Sequence, residues 1–105
     1  MFDFDYLCSV AEKIAPFSRE TFFMHSNNEY YIILRTFVIV SLSEIHEKPE
    51  IKKATSFNRG HIERYIRRHA EKMERDKFYR NYYKQFLKAK SEKEQVSKYH
   101  IDFAN

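Results

Sequence analysis

Glycine occurs once in this chain, at Gly60, and proline twice, at Pro16 and Pro49. An all-β domain needs a turn residue roughly every ten positions, so this scarcity makes helix the default. Cysteine is also single, at Cys8, which excludes an internal disulfide. The first residues have no basic stretch, apolar run and small-residue cleavage site of the secretory kind, so an intracellular, cytoplasmic and reducing setting is expected. The longest apolar run, 30–40, is interrupted by Arg35 and Thr36 and falls short of the ~20 residues a bilayer span requires. No membrane contact is expected. One glycine cannot build a phosphate loop, no nucleophile elbow is present, and nothing in the sequence suggests a small-molecule ligand or a cofactor.

The chain is instead rich in apolar and aromatic surface. Hydrophobic residues make up 43% of the 105 positions and aromatics 17%, too much for a disordered tail and enough for one core. The chain is read as a single helical domain over 1–90 followed by a polar tail over 91–105. In that tail Tyr99, Ile101 and Phe103 could fold back as an apolar clip.

The net charge of +4 is unevenly placed. Residues 1–50 hold four Lys/Arg against eight Asp/Glu, a net −4, and residues 51–105 hold fifteen against seven, a net +8. A basic half suits an anionic partner such as nucleic acid or an acidic protein surface, and an acidic half beside it also suits a homo-oligomer.

Phe4, Leu7, Val10/Ala11 and Ile14 recur at helical spacing and Pro16 ends the segment, predicting a first helix from Phe2 to Ala15. Its start carries Asp3 and Asp5, where the helix dipole favours negative charge. Ser26 and Glu29 match a capping box, after which 30–40 reads as a helix apolar on almost every side. The competing reading is a β-hairpin within 20–40, which would make the domain α+β; the β-branched Ile32, Ile33, Val38, Ile39 and Val40 favour it. A strand from Glu29 to Ser43 with no turn signal would be unusually long, so helix is preferred. The stretch 47–58 is polar and contains Pro49, predicting a loop.

A long basic and aromatic helix is predicted from Arg59 to about Lys90, supported by Glu63/Arg67 and Glu71/Arg75 at i,i+4. At 100° per residue, Ile62, Ile66, His69 and Met73 share a stripe, with Tyr65 at its edge. Opposite lie His61, Arg64, Arg68, Lys72 and Arg75, with Arg67 on the flank. Beyond Asp76 the apolar face turns by about a quarter turn or more, placing Tyr79, Tyr82 and Phe86 in the arginine sector. Either the helix breaks near Asp76, which then caps a new one, or a continuous helix offers its aromatics to a partner.

Each arrangement has its consequence. Aromatics packed on 30–40 would leave the arginines as a solvated face, whereas arginine and tyrosine on one surface would bind phosphates and stack on bases. The function ranked first is non-enzymatic nucleic-acid binding through Arg64, Arg67, Arg68, Lys72 and Arg75, extended by Tyr79, Tyr82 and Phe86. The alternative is a protein-binding adaptor or inhibitor acting through the C-terminal aromatic helix, on a partner's groove or on its own copy in a homodimer.

Arg64 to His69 spells R-x4-H, which resembles the active-site signature of HEPN-type ribonucleases. These are helical proteins in which paired arginine and histidine motifs from two protomers cleave RNA. The resemblance covers six residues, and Tyr65 departs from the small polar residue often found there. His69 also lies on the apolar stripe, where a hydrogen-bonded core histidine is the commoner outcome. No catalytic residue is therefore assigned. Nor is a metal site: His61 and His69 stand about 12 Å apart along a helix. His25, His46 and His100 lie elsewhere, and Cys8 reads as a buried small hydrophobe.

The expected architecture is all-α: a compact bundle of three or four helices, the last of them long.

Overall fold

A computed structural model describes residues 2–24 and 28–104, with side chains described over 3–24 and 28–93. Its elements are α1 (Phe2–Ile14), α2 (Arg19–Phe22), α3 (Glu29–Ser43), α4 (Lys48–Thr55), α5 (Arg59–Arg75) and α6 (Lys77–Ala104). The class is all-α. Among the described residues there is no strand, so the hairpin alternative does not hold. Nor is any helix long and apolar enough to cross a membrane. The side chains of Tyr99, Ile101 and Phe103, and Ser26 of the expected capping box, lie outside the described residues.

α3 is the centre, and each of the other five helices packs against it. It is buried without interruption from Ile33 to Leu42. β-branched side chains lower helix propensity only slightly, whereas burying them on every side of a central helix removes large apolar area from water. Packing therefore decides the element's type. Asn28 caps it, its Oδ1 accepting the N–H groups of Tyr30 and Tyr31 at 2.9 and 3.3 Å. The polar interruptions are satisfied locally: Thr36 Oγ1 donates to the carbonyl of Ile32 at 2.6 Å and Arg35 Nε to that of Tyr31 at 3.4 Å.

α1 buries Leu7, Val10 and Ala11 of the stripe its spacing predicts, with Phe4 and Ile14 partly buried, and it buries Cys8 as well. The expected loop at 47–58 instead contains α4. Pro49 sits in its first turn, where a missing N–H costs nothing, and the buried Ile51 anchors it. Ser56, at φ 64°, ends it in the left-handed region. Among the described residues, two short helices and a break in the long one raise the number of elements to six.

That break falls at Asp76, which adopts an extended conformation, φ −115° and ψ 104°. Its Oδ1 accepts the N–H of Tyr79 at 3.0 Å, capping α6. Arg80 reaches back to donate to the carbonyls of Met73 and Glu74 at 3.0 and 3.1 Å, satisfying the end of α5. The corner re-aims α6 so that Tyr79, Tyr83 and Phe86 enter the core, while Tyr82 packs at its edge. Phe37 of α3 receives all four rings, at centroid distances of 5.1–5.5 Å. Further along α6, Tyr6 of α1 donates to the carbonyl of Lys90 at 2.9 Å. Lys93 donates to Ser9 and lies over the Tyr6 ring.

A second tie joins the N-terminus to the α3–α4 turn. His46 lies between Asp3 and Glu50, 2.7 Å from a carboxylate oxygen of each. These hydrogen bonds, to Asp3 first and Glu50 second, raise the imidazole pKa above its ordinary 6.5.

Both contacts are open to measurement. Phe37→Ala should destabilise the fold by about 3–5 kcal/mol in urea titrations, and a loss below about 1 kcal/mol would contradict the aromatic hub. For His46, a raised folded-state pKa means that the tie contributes fully below pH 6.5 and is lost as pH rises through the folded value. The stability gap between wild type and His46→Gln should therefore be wider at pH 6 than at pH 9, as measured by urea midpoints at the two pH values; an equal gap would discount the tie.

Candidate functional site

α5 has one half-buried stripe and one free face. Ile62 is buried and Tyr65, Ile66, His69 and Met73 are partly so, all turned toward the core. Arg64, Arg67, Arg68 and Arg75 lie on the solvent side. The expected pairs Glu63/Arg67 and Glu71/Arg75 do not form. Glu63 instead accepts from Lys48 and Arg59, each at 3.0 Å, and these contacts hold its pKa below the usual value, Lys48 foremost. Among the described residues no carboxylate therefore lies within 4.0 Å of Arg64, Arg67, Arg68 or Arg75. Lys72 differs: it is half-buried and bridges Glu29 of α3, at 3.6 Å, and Asp76, at 3.5 Å.

The aromatic part of the predicted surface has to be redrawn. Tyr79 and Phe86 are buried, and Tyr82 is half-buried with its ring edge-on to Phe37. Projecting one continuous helix placed them beside the arginines; the break at Asp76 rotates them inward. The same rotation turns Phe78 outward, and it is 57% exposed. Tyr30, from the first turn of α3 and 50% exposed, stands edge-to-face with it at 6.4 Å.

At this corner Arg68, Lys72, Arg75 and Lys77 line a cleft of about 640 Å³ together with Glu71, Asp76 and Phe78. Phe78 and Asp76 also line the neighbouring cleft, of about 260 Å³, with Glu29, Tyr30 and Ile33. Arg64 and Arg67 are not among the lining residues of either. Sequence reasoning missed Lys77, Phe78 and Tyr30, and it also passed over the outer face of α6. A signal for that face exists: from Lys77 to Ser91 there is no Asp or Glu, and Lys77, Lys84 and Lys88 are all exposed. None of these three lysines has a carboxylate within 4.0 Å among the described residues.

The residues of the R-x4-H pattern point in different directions. Arg64 is exposed, whereas His69 Nδ1 is 2.6 Å from the Tyr79 hydroxyl and its ring lies 4.6 Å from that of Tyr83. Burial lowers the His69 pKa and favours the neutral ring. Burial likewise pushes the Cys8 thiol up to about 12, leaving it inert as a nucleophile. A larger groove, of about 840 Å³, lies between the end of α3, α4 and α5, and includes His46, Lys48, Arg59 and Ile66. Lys48 and Arg59 there share one carboxylate, that of Glu63.

Comparison with protein-family models, with curated proteins and with solved structures returns no match. Fold and surface thus define the class: an all-α globule with a cationic corner where α5 meets α6.

Cations that serve binding rather than folding should be dispensable for stability. Combined Arg68→Gln, Arg75→Gln and Lys77→Gln should leave the unfolding free energy, measured by urea titration, within about 0.5 kcal/mol of wild type, as is typical of plain surface changes. A marked loss would give these residues a structural role instead.

Proposed function

We propose that this protein binds nucleic acid without catalysing a reaction, holding the phosphate backbone on the cationic surface of α5 and α6. The observation that carries this reading is the unpaired state, among the described residues, of Arg64 and Arg67 along α5 and of Arg68, Arg75 and Lys77 at the corner where α5 meets α6. Unpaired cations of one sign sum to a field that attracts a polyanion, and they have no protein partner to surrender when they take up phosphates. Lys84 and Lys88 extend the same charge along α6. Arginine adds bidentate hydrogen bonding to phosphate oxygens. Lys72 serves differently, as the cation that pairs with both Glu29 and Asp76.

The burial of Phe86 and the half-burial of Tyr82 weaken the adaptor or inhibitor alternative, which relied on those rings to enter a partner's groove. Phe78 and Leu87 are the large apolar residues left exposed on the described part of α6.

Fluorescence anisotropy with short oligonucleotides tests the proposal. Neutralising three to four phosphates predicts a slope of log Kobs against log salt of about −2 to −3. The triple variant Arg68→Glu, Arg75→Glu, Lys77→Glu should lose binding. Glu71→Gln should tighten it, because Glu71 is a carboxylate in the cationic cleft without a cation within 4.0 Å among the described residues. Binding indifferent to salt and to all four substitutions would remove the basis for the proposal.

A further inference from the structure

Resting on the nucleic-acid reading, we infer that the bound strand is single-stranded, and that one unpaired base bearing an exocyclic amino group seats in the small cleft between α3 and α6. The two clefts at the corner share a wall, Phe78 with Asp76, but differ in chemistry. On one side stand Arg68, Arg75 and Lys77, suited to phosphate. On the other stand two rings, Ile33 and the carboxylate residues Glu29 and Asp76.

A phosphate is repelled from that second cleft. A flat, uncharged ring with N–H donors on its edge is not. One ring stacks on a face of the base, and the carboxylates accept its donors, as acidic side chains do from the amino group of cytosine. Each carboxylate keeps acceptor capacity, since an ionised carboxylate offers about four lone-pair sites. Lys72 sits 3.5–3.6 Å from one oxygen of each, and the Tyr79 N–H takes Oδ1 of Asp76. The volume, about 260 Å³, lies below the roughly 300–1,000 Å³ of drug-sized pockets and matches a single planar group.

Phe78 then stands where a nucleotide bends, with its base to one side and its phosphate to the other. A base inside a duplex has both faces stacked and cannot enter, so the cleft selects unpaired strands. Tyr30, held edge-on to Phe78 at 6.4 Å, completes the platform.

The test uses the full chain and oligomers of about 12 nucleotides. Deoxycytidine and deoxyuridine homopolymers differ in a 4-amino against a 4-oxo group, and a duplex of equal length supplies the third probe. The expected order is deoxycytidine, then deoxyuridine, then duplex. Phe78→Ala should weaken single-strand binding about tenfold while leaving duplex binding unchanged, and Glu29→Gln should erase the preference for cytosine with little other loss. Both side chains are exposed, so circular dichroism should show the variants folded. Equal affinity for single strand and duplex, unmoved by Phe78→Ala, overturns the base seat while leaving the charge reading intact. Absence of binding to all three probes at low salt overturns both.

Discussion

Phe37 is the contact on which the rest of the structure depends. It lies near the middle of a helix buried on all sides, and its ring meets those of Tyr79, Tyr82, Tyr83 and Phe86. Edge-to-face and tilted ring packing contributes beyond area alone. Phe37 anchors the near end of α6 to the centre, while the packing of α6 on α1, including the Tyr6 hydrogen bond to the Lys90 carbonyl, holds it further along. The hub demands a specific rotation of α6, and a helix continuous with α5 has its apolar stripe in the wrong sector. Extended backbone at Asp76 resolves that conflict, and its carboxylate caps the helix beyond it.

The surface obeys the same constraint. Rotating Tyr79 inward turns its neighbour Phe78 outward, next to Tyr30 and over a cleft lined by Arg68, Arg75 and Lys77. Lys72 ties the corner to α3 through Glu29 and holds Asp76 from the other side. Lys72, paired with Glu29 and Asp76, thus lies about one helical turn from Arg68 and Arg75, which have no carboxylate within 4.0 Å among the described residues. Glu63 assists by turning to Lys48 and Arg59 rather than to Arg67.

Much of the fold was legible in local pattern. The stripe Leu7, Val10, Ala11 and the stop at Pro16 define α1, and an apolar run with no turn signal defines α3 as buried. α4 was not legible, because Lys48, Glu50, Lys52 and Lys53 mask the one buried side chain, Ile51, that secures it. The rotation of the apolar face near Asp76 was visible as a conflict with two resolutions. Choosing between them needed Phe37, distant in the chain and close in space to the rings beyond the break.

The candidate site divides along the same line. Sequence by itself favoured the all-α class over a hairpin alternative, and determined the excess of positive charge in the second half and the outward direction of Arg64, Arg67, Arg68 and Arg75, since these depend on composition and on the 3.6-residue period. Tertiary structure decided which aromatics are core and which are surface, which carboxylates neutralise which cations, and that Tyr30 meets Phe78. The physical reason is that period and propensity act within one helix, whereas rotation about a break and the pairing of charges between helices are set by what each must bury.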